Sequence, residues 1–401
     1  MTTTLLESDP ETALTLRNRD LICLSHDWNG DPLSKTHLMR LLAQNNRVLW
    51  VNSIGYRAPT LSGADARRAL NKLRAACRPL VEVEPNLFVL NPLAIPMHHS
   101  TLVGSINRQL LRGQIRRAMR ALRFERPISW IFNPAAAVVA GSLGEDLLIY
   151  YCVDEYPALA GVAAESLAAL ESRLLRNADV VFVSSDRLLR SKAPRARRCH
   201  LVRHGVDYRN FRRALGDALP LPPDIASLPH PIVGYFGLMS ADWIDVALLE
   251  RIAQRFATGS LVLIGKVAMD MSRLTRYPNV HFLGSKPFTE LPDYCRAFDV
   301  GIVPFPISEL TLAANPLKAR EYLAAGLPVV STAIPEVEQL EHCLVADDHD
   351  SFVQSIEAAL AERTSRSERS QSMREQTWAH RLDKICAHLE PWLTESAGDS
   401  P

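Results

Sequence analysis

Short apolar runs alternate with stretches of helical periodicity, and the alternation occurs twice along the chain. In the first half the apolar runs are DLICLS (20–25), RVLWVN (47–52), ISWIF (128–132), LLIYY (147–151), DVVFVSS (179–185) and HLVRHG (200–205). Helical patterns fall near 35–45, 105–124 and 163–177. The second half repeats the scheme with PIVGYFG (231–237), SLVLIG (260–265), NVHFLG (279–284), DVGIVPF (299–305) and LPVVST (327–332). Helices are predicted there near 243–256, 289–297, 315–325 and 350–362. The runs are continuously apolar and rich in β-branched residues, which fits parallel strands covered on both faces. The expected fold class is α/β, with two doubly wound Rossmann-like domains facing across a cleft. In such sheets ligands bind outside the carboxyl ends of the strands.

Between the halves, residues 214–231 (ALGDALPLPPDIASLPHP) hold five prolines. Proline fixes φ and removes a donor, so the stretch reads as a linker. The expected division is 1–213, a linker at 214–230, and 231–365. A charged, apolar-spaced helix near 366–392, within the tail 366–401, is expected to pack back on the first domain.

At 401 residues, two domains are the natural expectation. Hydrophobic residues at 47% and charged residues at 22% exclude a disordered chain and a coiled coil. No apolar run approaches the ~18 residues of a membrane-spanning helix. The first twenty residues carry four acids and no apolar block, so no secretory signal is read and a cytoplasmic protein is expected. Seven cysteines without a C-x-x-C pair point to neither a disulfide framework nor a zinc site. His98-His99 has no ligand partner at metal spacing. The net charge of +1 hides a split: residues 1–215 carry 30 basic and 19 acidic side chains, and residues 216–401 carry 15 and 25. A basic first half favours an anionic surface.

The segment TLAANPLKAREYLAAGLPVVST (311–332) carries the strongest chemical signal. Asn315-Pro316 is expected to open a helix, whose free N–H groups and dipole suit a phosphate. Lys318 adds a positive charge, and Glu321, three residues on, shares its face and can accept two ribose hydroxyls. Gly326 suits the helix C-terminus. An ordinary surface Lys-Glu pair has the same spacing, so that reading stays open.

NPLKAREYLAAGLPVVST resembles the nucleotide-sugar motif of GT-B glycosyltransferases. ESRLLRNADVVFVSSDRLLRSK (171–192), LVRHGVDYRNF (201–211) and RAFDVGIVPF (296–305) are similar to further segments of that family, in the same order, with His204 where Asn is usual. The resemblance covers roughly residues 170–345. It implies a glycosyltransferase of the hexosyl or glucuronosyl type. The implied substrates are a nucleotide sugar, by default a UDP-sugar, and a lipid-linked or polysaccharide acceptor in cell-surface glycan synthesis. Two departures matter. Retaining members carry Glu-x(7)-Glu ending at the position of Glu321, but Ala313 stands eight residues earlier and Glu309 twelve. The loop GLMSADWID (237–245) lacks the usual Arg and Lys. It resembles instead membrane-associated inverting glucuronosyltransferases, which implies donor contacts at Gly237, Met239 and Asp242 and a diphosphate and ribose site at Asn315, Pro316, Lys318 and Glu321. Met239 also reads as a core residue, and Asp242 as a helix N-cap before Trp243.

Lys266, after SLVLIG, is a second candidate cation for the diphosphate. No Asp-x-Asp metal motif appears where a GT-A enzyme needs one, so no metal and no cofactor are expected, with N–H groups and lysine stabilising the leaving group. Asp154, where LLIYYCVDEYPAL (147–159) leaves its strand, is the candidate general base of an inverting transfer. Asp154 or Glu155 equally suits a cap. In LSHDWNGDPLSKTHLMRLLA (24–43), His26, Asp27 and Asp31 are acceptor-side candidates, and Gly30 is expected to allow a tight turn.

In SINRQLLRGQIRRAMRALRF (105–124), Ile106, Leu110, Ile115, Met119 and Leu122 fall on one face opposite six arginines. That helix, with the basic stretch 67–78, is expected to lie on anionic lipid at the inner face of the plasma membrane. Amphipathicity is also normal for a helix covering its own sheet. Nucleic acid is not an expected partner. A GT-B sugar epimerase and an inactive sugar-binding scaffold are the alternatives. A dinucleotide dehydrogenase is excluded because no G-x-G-x-x-G follows a first strand.

Overall fold

The computed structural model describes residues 16–53, 80–93, 101–216 and 220–395. The basic stretch 67–78 and His98-His99 lie outside them. Fourteen strands among these residues form two sheets. The first holds β1 (Asp20–Leu24), β2 (Arg47–Val51), β3 (Leu80–Glu84), β4 (Leu87–Leu90), β5 (Ile128–Ile131), β6 (Leu147–Cys152), β7 (Val180–Val183) and β8 (Cys199–Leu201), in the order β3-β4-β2-β1-β5-β6-β7-β8. All pairings are parallel except β3 with β4. The second holds β9 (Ile232–Phe236), β10 (Ser260–Ile264), β11 (Val280–Gly284), β12 (Val300–Val303), β13 (Val329–Thr332) and β14 (Cys343–Ala346). Its order, β11-β10-β9-β12-β13-β14, is all parallel.

Both sheets grow outward in two directions from their first strand. The order reverses between β1 and β5 in one sheet and between β9 and β12 in the other, and such reversals are where doubly wound sheets bind ligands. The central strands are buried along their length, as the continuous apolar runs require. Three strands escape the apolar pattern. In β3 (LVEVE) the acids alternate with Val81 and Val83, both exposed on an edge. β4 lies next to that edge, and β14 is itself a half-exposed edge strand.

Two boundaries differ from expectation. Val202 packs in the first core, while Val206, Phe211 and Ala214 already belong to the second. The chain therefore crosses near 203–205, ahead of the proline-rich stretch. Its described part from residue 220 on lies against the second domain: Ile225 is in its core, and Asp224 accepts from Lys286 Nζ at 2.6 Å. The expected continuous helix near 366–392 is two helices, Arg366–Gln371 and Trp378–Glu395. The break accommodates the return crossing. Val206 N donates to Gln376 O at 2.9 Å, and the backbone of Thr377 and Trp378 lies so close to Gly205 that a Cβ there would sit 2.7 Å from Trp378 N. Beyond it, Trp378, Leu382, Ile385, Cys386 and Leu389 pack in the first core.

The helix Thr101–Leu122 also presents itself differently. Leu111, Ile115 and Met119 face the core, whereas Ile106 and Leu110 are exposed at 41% and 44%. A single apolar face from Ile106 to Leu122 therefore does not exist; the helix is apolar on two sides. Among the described residues no helix is long and apolar enough to cross a membrane.

Candidate active site

On the second domain the loops leaving β9 and β10 run side by side. Gly237 N donates to Ile264 O at 2.8 Å, and Met239 N donates to Lys266 O at 2.9 Å. Gly237 has φ +143°, and a Cβ there would sit 2.2 Å from Lys318 Cε. The bare backbone thus leaves room for Lys318, whose ammonium lies 5.6 Å from the Tyr235 ring centre and 5.7 Å from that of Phe305. Both rings belong to strand ends at the β9/β12 reversal and present π-faces that attract a cation. Burial lowers the Lys318 pKa, opposed by Glu321 and Asp31. Glu321 is pushed up to about 7 by burial, opposed by Lys318 and reinforced by Asp207 and Asp31. Half-buried Lys318 and buried Glu321 therefore act on each other electrostatically at a sheet switch point, and the charge of Asp31 on the other domain acts on both.

The helix carrying them runs from Leu317 to Ala324, with Pro316 at its N-cap, one position before the first turn where proline was expected. Gly326, at φ +81°, follows the C-cap residue Ala325; its N–H donates to Leu323 O, and Leu327 N donates to Tyr322 O at 2.9 Å, a left-handed terminus that favours glycine.

Two expected donor residues, Met239 and Asn315, are turned away from the cleft, while Asp242 stays at it. Met239 is fully buried in the second core, because its side chain points under the loop, so only its backbone borders the cleft. Asn315 is 4% exposed. Its amide donates to Ser184 O at 2.6 Å and Glu336 Oε2 at 3.0 Å, and its Oδ1 accepts from Arg320, so the side chain joins the domains instead of facing a phosphate. Asp242 does not cap a helix. The cap is Asp245, which accepts from Leu248 N at 3.0 Å, while Asp242 Oδ1 accepts from Ala160 N across the cleft at 3.3 Å. Lys266 is exposed on the β10 loop.

On the first domain, Asp154 follows β6, beside the β1/β5 reversal. Burial raises its pKa to about 6, opposed by Lys35. Glu155 occupies the N-cap of the short helix Tyr156–Ala158, but its side chain makes no capping bond there. His26 lies edge-on to Trp50, with centroids 5.4 Å apart. Its Nδ1 is 3.1 Å from Ser25 Oγ, and burial, with Lys35, lowers its pKa to about 3, so the ring is neutral. Asp27 and Asp31 are exposed. Gly30 does not need to be glycine: its φ is ordinary and a Cβ would meet only van der Waals contacts, the nearest at 3.5 Å.

Lys35 is the residue the sequence reading missed. It sits in the first turn of the helix Ser34–Ala43, and burial lowers its pKa, opposed by Asp154 and Cys23. A signal was available. A lysine at a helix N-terminus opposes the helix dipole, and a local violation of that kind marks a functional position. His204, in place of the usual Asn, has its Nδ1 2.8 Å from Asn315 O. A carbonyl only accepts, so Nδ1 carries the proton. Burial lowers its pKa to about 3 and keeps the ring neutral. His204 therefore orients the chain entering the Lys318 helix.

Comparison with known proteins follows this geometry. Residues 230–362 match the family model described as glycosyl transferases group 1. The chain is 27% identical over 281 residues to TuaH of Bacillus subtilis (strain 168), a protein named for teichuronic acid biosynthesis; the match spans 63% of this chain and 69% of that one. Among solved structures it resembles an α,α-trehalose-phosphate synthase (UDP-forming) from Burkholderia vietnamiensis, with TM-score 0.66 and 14% identity over 94% of this chain and 100% of that one. It also resembles a sucrose-phosphate synthase from Thermosynechococcus elongatus, with TM-score 0.63 and 18% identity over 95% and 98%.

Proposed function

This chain is a glycosyltransferase of GT-B fold, and from that premise we propose that it moves a sugar from a UDP-sugar to a lipid-linked or polysaccharide acceptor in cell-surface glycan synthesis, without a metal and with inversion. The name of the teichuronic acid relative supports the glycan class, and the UDP-forming trehalose-phosphate synthase supports the nucleotide. The observation that carries the reading is Lys318 seated against the bare backbone of Gly237 after β9, with buried Glu321 one turn on, while the first domain offers the desolvated carboxylate of Asp154 just after β6.

In this reading Asp154 takes the proton of the acceptor hydroxyl as its oxygen attacks the anomeric carbon from the face opposite the nucleotide. The bond from that carbon to the diphosphate oxygen breaks, and Lys318 with the N–H groups opening its helix stabilises the charge that develops there. Glu321 holds the ribose hydroxyls. Inversion is favoured over retention because the two carboxylate positions of the retaining pattern do not supply an acid to the cleft. Ala313 is 1% exposed in the first core, and Glu309 pairs with Arg187 at the surface.

A panel of UDP, GDP and their common sugar conjugates, read by thermal unfolding with and without EDTA, tests the donor. Ligand at ~100 times its dissociation constant adds about 2.7 kcal/mol. We expect a shift with UDP, a larger one with a single UDP-sugar, and no effect of EDTA. A shift with GDP alone would reject the nucleotide assignment. Asp154→Asn should bind donor as the parent does and lose transfer by at least ~100-fold; unchanged turnover would reject Asp154 as base.

A further inference from the structure

The backbone around Asp154 is fastened at each neighbouring position. Val153 O accepts from Ser184 Oγ at 3.0 Å, and Asp154 O accepts from Cys152 Sγ at 3.3 Å. The Tyr156 hydroxyl donates to Phe132 O at 2.5 Å. Between them, Glu155 Oε1 accepts from Lys192 Nζ at 2.7 Å. Among the described residues, the carboxylate of Asp154 itself has no hydrogen bond or ion pair.

Lys192 ends the helix Asp186–Lys192 and its side chain is 1% exposed. Its second bond, at 2.8 Å, goes to Glu171, which is also buried and accepts from the Tyr150 hydroxyl at 2.8 Å. Burial works against the lysine charge, but Cys152, Glu171 and Glu155 outweigh it and raise its pKa. A buried lysine is costly, and an apolar residue of the same volume often packs as well or better. Helix-to-sheet packing alone therefore does not account for a charge here. The geometry does: Asp154 lies at a bend just past the end of β6, with Val153 tethered to Ser184 on one side and Glu155 tethered to Lys192 on the other. Holding Glu155 fixes the course of the backbone that carries Asp154.

We propose that Lys192 is a positioning residue for the transfer: by tethering Glu155, directly after the bend, it holds the backbone that sets the Asp154 carboxylate at the cleft. This inference rests on the reading of Asp154 as base.

The test uses the full chain with its donor and acceptor, measuring kcat and KM from pH 5 to 9 and donor binding by calorimetry. Glu155→Ala leaves Lys192 paired with Glu171, so the fold is retained. It should lower kcat at least tenfold, change donor affinity less than twofold, and shift the acid limb of the kcat profile as Asp154 changes surroundings. Glu155→Gln keeps an oxygen acceptor for Lys192 and should restore kcat to within about threefold of the parent. Lys192→Met, paired with Glu171→Gln to avoid an orphaned buried acid, should reproduce the Glu155→Ala profile. If Asp154→Asn is inactive while Glu155→Ala keeps the parental kcat and acid limb, the positioning role is overturned and the base assignment stands. If Asp154→Asn itself retains turnover, the base assignment falls and takes this inference with it.

Discussion

Glu321 and Asp154 are carboxyls held above their ordinary range by burial, and each makes a pH-dependent prediction. For Glu321 the shift is from 4.5 to about 7. The fold therefore favours the neutral acid, and this contribution is complete below the unfolded value and is lost as pH rises through about 7. Glu321→Gln removes the loss. At pH 8 it should be more stable than the parent by on the order of 1–3 kcal/mol, with no difference below pH 4.5. Thermal melts at both pH values check this, and an equal offset at the two would rule it out. Asp154 must be ionised to act as a base, so turnover should fall as pH drops below about 6. Asp154, Lys318 and Glu321 stand out as candidates in the sequence because each lies at a predictable place: the end of an apolar run, or the first turns of a helix flanked by proline and glycine. Lys35 and Lys192 do not. Their roles arise from residues more than thirty positions away, Asp154 in one case and Glu155 in the other.

At the scale of elements, the loop after β9 is the sensitive piece. Gly237 lies at φ +143° with Lys318 Cε in the place of a Cβ. Gly237→Ala therefore meets both a disfavoured backbone conformation and a collision. The flexible lysine yields first, so we expect at least a tenfold loss of donor affinity with a modest loss of stability, about 1–2 kcal/mol. Calorimetry with UDP and a thermal melt separate the two effects; parental affinity would show that Lys318 is not tied to this loop. Eleven strands were legible because parallel strands buried on both faces read as unbroken apolar runs. β3 was hidden because an exposed edge strand carries acids that guard it against pairing. β14 was hidden because it lies half-exposed at the edge of its sheet, without the unbroken burial of the inner strands. Helix periodicity also cannot announce where a helix must break to let the chain cross, as it does between Gln371 and Trp378.

At the scale of the molecule, the domains are joined by buried polar contacts around Glu336, which is 1% exposed. It accepts from Asp186 N and Arg203 Nε, each at 2.8 Å, and from Asn315. Ser185 Oγ adds a bond to Ala313 O at 2.7 Å. These contacts seat the Lys318 helix on the first domain. The same domain carries the basic charge excess and the exposed Ile106 and Leu110, which line a shallow groove with Gln109, Gln114 and Arg117. We expect the protein to co-float with vesicles containing anionic lipid at low salt. The double variant Ile106→Asp, Leu110→Asp should remain behind, because each apolar side chain returned to water forfeits about 1.5–3 kcal/mol of burial. Equal flotation of parent and variant would remove the membrane from this face.

The chain by itself determined the α/β class of fold with its parallel strands, and the resemblance to glycosyltransferases. Those follow from local periodicity and short motifs. Only the tertiary structure decided which side chains meet. It moved the crossing to 203–205, put Met239 in the core, gave Asn315 to the domain joint, and split the apolar side chains of the helix Thr101–Leu122 between core and solvent. It also brought Lys35 toward Asp154 and set Lys192 behind Glu155. The physical reason is that hydrophobic pattern constrains which face of an element is buried, whereas a site depends on contacts between elements far apart in the chain, and those exist only once the sheets are packed.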